Sequence, residues 1–342
     1  MLDSGRHPWL TWPDVSSVLP DLKVLYAAEP DRLFWFGGDF AYPALPEALE
    51  TVTSCDSMGL RPADYDGVAL AQRWAAIKAS ASPSLTERAL LDVAVTVSSM
   101  RLLQSAHRGR VDPRNVGFDY DVTSKRIDLA TALRAARDGK GFPAAVAAAE
   151  PQFPVYHRLV NALADYRTLA SHEPAPLPAL SKGQRKVEPG KPWVGVTALD
   201  ARLRHFRDLP ADTPAPSTAA DGTPLYDANL VSAVKRFQGR HALEADGVIG
   251  PGTIVAMNVP VAHRVRQLEL ALERERWLPE MLKEELIFVN VPLFRLWAYD
   301  PDRPDEPVKM NVVAGKALGH ATPIFIDEME YVTFRPYWNP PI

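Results

Sequence analysis

Cysteine is nearly absent: 342 residues include one, Cys55. A single cysteine excludes an internal disulfide and any cysteine-rich metal site. Long apolar runs are missing too, and without a stretch of about 18 apolar residues the sequence offers no transmembrane segment. The first residues, Met1-Leu-Asp-Ser-Gly-Arg-His7, lack a charged segment followed by an apolar one. If the protein is exported, its signal is expected outside this numbering. Charge of one sign is not concentrated: Lys and Arg total 38, Asp and Glu 42, and the basic residues lie among acidic neighbours. No basic block exists to grip a phosphate backbone, so nucleic acid is not an expected partner. The sequence contains no H-E-x-x-H, G-x-S-x-G, P-loop or G-x-G-x-x-G, so no metal and no cofactor are expected.

What is present is an ordinary globular composition, 46% hydrophobic and 23% charged, at a length that suits two or three domains. The 32 prolines fall largely between periodic segments, where they stop helices and stiffen connections. Leu45, Ala48, Leu49, Val52 and Cys55 form one apolar helical face closed by Gly59, which makes Cys55 a buried small hydrophobe. Ser84-Leu-Thr-Glu87 has capping-box spacing ahead of a helical pattern reaching about Gln104. Further helices are predicted over 128–138, 142–149 and 154–170. Residues 171–194 show neither period and mark a boundary, a short helix follows between Val194 and Leu209, and 210–222 has the composition of a flexible excursion.

Tyr226 to Asn258 is the most informative block. Asp227 is placed to cap a helix carrying Leu230, Val231, Val234 and Phe237 inward, and Gly250-Pro-Gly-Thr253 opens a second short helix. The string Phe237-Gln238, then Asp246-Gly247-Val-Ile-Gly250-Pro-Gly-Thr253, resembles the peptidoglycan-binding type 1 module, a three-helix domain of bacterial wall enzymes. Phe237 is expected to plug the core, Gly247 and Gly250 to allow tight turns, and Thr253 to bond near a helix start. These roles are structural; Phe237, Gln238, Asp246, Gly247, Gly250 and Thr253 mark the module rather than its ligand contacts.

Val261, Val265, Leu268 and Leu272 then line a helix ended by Pro279, on which Glu269, Glu273, Arg274, Glu275 and Arg276 are expected to be a solvated face. Beyond Pro279 the period becomes 2. Leu286–Pro292, Phe294–Tyr299, Val308–Val313 and Met329–Phe334 read as strands.

The order of motifs carries a wider resemblance. Gly59-Leu-Arg-Pro-Ala-Asp-Tyr65, Arg108-Gly-Arg-Val-Asp-Pro113, the binding module, Glu273-Arg-Glu-Arg-Trp277, Val289-Asn-Val-Pro292, Gly315 with Thr322-Pro-Ile-Phe325, and Pro336-Tyr-Trp-Asn-Pro340 together are similar to the large periplasmic L,D-transpeptidases. The resemblance implies a multidomain protein. Residues 1–180 form a mostly α scaffold domain, 194–260 the peptidoglycan-binding module, 261–284 a connecting helix, and 285–342 an incomplete β-rich catalytic domain. It implies peptidoglycan as partner, glycan strands and stem peptides alike, other wall-synthesis proteins in association, and a periplasmic or cell-envelope location. Tyr337, Trp338 and Asn339 would then stand beside the substrate cleft.

The implied reaction is acyl transfer by a cysteine that makes 3→3 cross-links. Such a thiolate needs a histidine within hydrogen-bond reach and donors for the oxyanion. The family supplies them from a late histidine and a Ser-His-Gly-Cys-x-Arg segment, neither of which occurs here. Cys55 lies too early and on a core face, so no catalytic residue is assigned, and the chain is expected to be truncated ahead of the active site. Two other classes stand beside this: a non-catalytic peptidoglycan-binding scaffold, and a wall hydrolase or amidase carrying the same module. The hydrolase has the least support, because residues after 285 follow the transpeptidase pattern and no zinc-ligand set appears.

Overall fold

The computed structural model describes residues 4–37, 40–118, 121–152, 154–279, 285–300, 302–303, 306–316, 319–324 and 326–335. Its helices are α1 (Leu19–Ala27), α2 (Ala44–Thr53), α3 (Gly67–Ala79), α4 (Leu85–Arg108), α5 (Leu129–Ala135), α6 (Phe142–Ala149), α7 (Pro154–Ala170), α8 (Val196–His205), α9 (Ala228–Arg240), α10 (Pro251–Met257) and α11 (Val261–Glu275). Three strands follow, β1 (Leu286–Asn290), β2 (Arg295–Tyr299) and β3 (Val308–Asn311). The order is mostly α, then a small β segment, as the sequence implied.

Helix α4 is the axis of the first core. Ser84 and Glu87 close the predicted capping box, and the helix runs past Gln104 to Arg108. Every residue from Leu91 to Met100 is buried, so this part of the helix is enclosed on all sides, its polar members Asp92, Thr96, Ser98 and Ser99 included. Helices α2, α3, α5 and α6 pack on it. Its one buried carboxylate is matched: Asp92 accepts Tyr26 Oη at 2.5 Å and the Phe34 and Trp35 amides at 3.1 and 2.7 Å. Those bonds fasten the 26–36 segment to the core, although burial still holds the Asp92 carboxyl up at about 6.

A second core forms around α8, α9 and α10. Residues 171–194, without period, contribute Leu177, Val187 and Trp193 to it. Val187 exchanges backbone hydrogen bonds with Ile249 at 3.0 and 3.1 Å, and the Trp193 amide donates to Pro224 O at 3.1 Å. The segment lacks a repeat because single bridges, not a helix or ladder, hold it in place. The following excursion is tied back as well: Arg204 donates to the carbonyls of Pro210, Ala211 and Thr213 at 2.8–3.0 Å.

Helix α11 lies along α7, burying Leu272 against Tyr156 and Leu163, with Leu159, Val160, Val265 and Leu268 beside them. Beyond it, β1, β2 and β3 pair in order as antiparallel neighbours, with Leu286 opposite Tyr299 and Arg295 opposite Asn311. None of these strand residues is buried, and Ile287 and Val289 stay 48% and 43% exposed. A three-stranded sheet with neither face covered is an incomplete β unit. The strand expected over Met329–Phe334 is corrected: residues 329–334 are irregular, with Tyr331 80% and Phe334 88% exposed. Alternation alone does not make a strand; the backbone must also find a ladder partner, and none pairs with it among the described residues.

Candidate functional site

The block Tyr226–Asn258 folds around a polar knot. Asp227 starts α9 by accepting the amides of Asn229 and Leu230, both at 3.1 Å. That start turns Phe237 into the core, where it is 1% exposed and stacks on His241 with ring centroids 3.9 Å apart. Gln238 is buried beside it. Its Nε2 donates toward Asp246 Oδ1 and Val248 O, both at 3.0 Å, and Thr253 Oγ1 at 3.2 Å; its Oε1 accepts the Gly247 amide at 2.9 Å. Tyr226 Oη donates to Gly247 O at 2.7 Å. One buried amide thus ties α9, the Asp-Gly turn and the first turn of α10.

Gly247 sits at φ +76°, and a Cβ there would lie 2.9 Å from both the Val231 and Lys235 side chains. Glycine is required by conformation and by space. The turn role expected of Gly250 is corrected. Its φ of −95° and ψ of 178° are extended backbone open to any residue, and a Cβ there would meet nothing within 4 Å. The structure gives no reason for glycine at that position. Tyr337, Trp338 and Asn339, expected beside a substrate cleft, lie outside the described residues.

Folding also brings together three motifs that are far apart in sequence, Gly59–Tyr65, Arg108–Pro113 and Glu273–Trp277. Glu273 Oε1 accepts the amides of Arg110 and Val111 at 2.6 and 3.0 Å and Trp277 Nε1 at 3.3 Å. Gly109, at φ +80°, makes this approach feasible, because a Cβ would stand 2.7 Å from that same oxygen. Arg110 in turn pairs with Asp64 at 2.8 Å. Arg276 is fully buried and donates to Tyr156 Oη at 2.7 Å and Met58 O at 2.5 Å. Arg167 on α7 bridges to Glu269 at 3.0 Å, and Lys125 Nζ donates to Arg276 O and Leu278 O at 2.7 and 2.9 Å.

The solvated face expected for Glu269–Arg276 is therefore corrected. Arg274 alone of the five is exposed; Glu269, Glu273 and Arg276 clasp α11 to the first helical region, and Glu275 is half-buried. Arg276 continues the stripe Val265, Leu268, Leu272 in phase, a partial signal for its side of the helix, but the acceptors that let it be buried come from distant sequence.

No nucleophile is found at this clasp or in the module. Cys55 is fully buried, and burial, reinforced by nearby Asp56 and Asp64, pushes its thiol up to about 12. It stays protonated and unreactive. His241 has its pKa lowered by burial inside the module, while His263 and His320 are exposed. Among the described residues, no three His, Cys, Asp or Glu side chains gather as metal ligands, and no helix is long and apolar enough to cross a membrane.

Two protein-family models match parts of the chain. Residues 20–163 match the Scaffold domain, and residues 195–257 match the peptidoglycan binding domain. The two matches give the chain a cell-wall-related architecture, a helical scaffold followed by a peptidoglycan-binding module, in line with the resemblance to L,D-transpeptidases. No curated protein matches the chain.

Proposed function

We infer that the chain is the wall-engaging portion of a peptidoglycan-cross-linking L,D-transpeptidase of the periplasm or cell envelope. Residues 1–180 act as scaffold, 194–260 as the peptidoglycan-binding module, 261–284 as the connecting helix, and 285–342 as the start of the catalytic β domain. The observation that carries this is the clasp of α11 onto the scaffold: Glu273 accepts the Arg110 and Val111 amides, Arg276 donates to Met58 O beside the Gly59–Tyr65 motif, and Arg110 pairs with Asp64 of that motif. It joins three motifs of the resemblance in one contact between the matched scaffold region and the helix that follows the matched peptidoglycan-binding module.

The chemistry assigned is transfer of an acyl group from a stem peptide through a cysteine thioester, with D-alanine leaving and a side-chain amine of a second stem attacking. Cys55, buried and protonated, does not perform it. These 342 residues alone bind wall and catalyse nothing. Deleting the gene from its native host should remove 3→3 cross-linked muropeptides from digested wall, as read by mass spectrometry. An unchanged muropeptide profile would favour the alternative, a non-catalytic peptidoglycan-binding scaffold, which the lack of a competent nucleophile here also suits.

A further inference from the structure

The first helical region holds a polar cleft of about 550 Å³ beside the C-terminal half of α4, lined by scaffold residues and none from the binding module. Four arginines, Arg61, Arg101, Arg108 and Arg110, meet two carboxylates there, Asp64 and Asp112. Most of these charges are committed. Arg61 and Arg110 both pair with Asp64, at 3.2 and 2.8 Å; Asp112 pairs with Arg114 at 3.0 Å; and Arg101 donates to the carbonyls of Trp12 and Asp14 at 3.0 and 2.5 Å.

Arg108 is the least committed, acting on Asp112 only through its charge. Half-buried on the last turn of α4, its guanidinium makes no hydrogen bond or ion pair among the described residues. Gln104, one turn earlier on the same face, likewise has a half-buried amide without a partner. Tyr65, 3% exposed, lies near Ser105, yet its hydroxyl makes no hydrogen bond of ordinary geometry. Of the three, only the Tyr65 hydroxyl is buried without a partner; the Arg108 and Gln104 donors keep access to the cleft and are free to meet a ligand.

We propose that this cleft binds the carboxylate of a short peptide, received by the Arg108 guanidinium and the Gln104 amide. A guanidinium fork fits a carboxylate with two parallel bonds, and the surplus of positive charge favours an anion. The neutral Gln104 amide, with Trp12 63% exposed in the cleft lining as a stacking face, suits the amide backbone of a peptide. The volume is that of a small-ligand site. In a wall protein the ligand class is the stem peptide, and that identification rests on the function proposed above. The cleft wall includes Gly109, Arg110 and Val111, the segment that clasps Glu273. A bound peptide would therefore touch the hinge through which the scaffold holds α11.

The test is calorimetric titration of the full chain with purified wall tetrapeptide, with the same peptide amidated at its carboxyls, and with inorganic phosphate. The tetrapeptide should bind, its amidated form should bind at least roughly tenfold more weakly, and Arg108→Ala and Gln104→Ala should each lose a similar factor without a change in melting temperature. Equal affinity for peptide and amidated peptide, or unchanged affinity in both variants, overturns the proposal. Phosphate binding as tightly as the peptide overturns it in favour of a phosphate site. A chain that sediments with intact sacculi yet ignores the tetrapeptide refutes the cleft and leaves the wall assignment standing. Tetrapeptide binding that depends on Arg108, without sedimentation, supports the cleft and refutes the wall assignment.

Discussion

Glu273 on α11 accepts the backbone amide of Arg110 at 2.6 Å, although the two are 163 residues apart in sequence. A carboxylate satisfying two neighbouring amides is a charge-assisted contact, stronger than an ordinary surface pair. Glu273→Ala should cost about 2–3 kcal/mol and raise amide hydrogen exchange in α11. Gly109→Ala should act in the same direction with Glu273 itself unchanged, because the added Cβ would stand 2.7 Å from Glu273 Oε1 and push it off the two amides. Unchanged exchange in both variants would show that the clasp does not hold α11.

Arg276 should be the more sensitive residue of the same contact. It is fully buried, and its removal would leave Met58 O unpaired and open a void beside Tyr156. Arg276→Ala is expected to cost about 3–5 kcal/mol, measured by urea unfolding. A cost within experimental error would contradict the buried placement.

Gln238 tests what the module's sequence marks mean. Gln238→Ala should destabilise the module by about 2–3 kcal/mol, since it strands the Gly247 amide and loosens the Asp-Gly turn. At temperatures where the variant stays folded, wall affinity should be nearly that of the wild type. A large affinity loss with an unchanged melting temperature would instead make Gln238 a ligand contact.

Glu275 gives a pH signature. Burial raises its carboxyl to about 7 from an ordinary 4.5, and Oε2 has no partner. The folded state therefore holds the proton more tightly than the unfolded chain, so this group's stabilising contribution is complete below the unfolded value and disappears as pH rises through about 7. Glu275→Gln should melt higher than wild type near pH 8, by on the order of 1 kcal/mol once solvent screening is allowed for, and should match it near pH 4. Equal melting at both pH values would contradict the shift.

The sequence was most readable where one local rule decided the outcome. Ser84 and Glu87 announced the α4 start, Asp227 the α9 start, and the Cys55 face its burial, because caps and helical period act over a few residues. Arg276 was misjudged because a buried arginine depends on Tyr156 and Met58, acceptors supplied from distant sequence. The fourth strand was misjudged because period 2 describes a chain's capacity to pair and cannot supply its partner. The Arg108–Gln104 pair was invisible for a similar reason: two polar residues one turn apart on a helix become notable only when the surrounding loops make a cleft.

Wall binding is the central claim, and sedimentation of the full chain with purified peptidoglycan sacculi tests it most directly. The chain should pellet with sacculi and remain soluble without them, and lysozyme digestion of the sacculi should release it. A chain that stays in the supernatant at every sacculus concentration would contradict the assignment of residues 194–260 as a peptidoglycan-binding module.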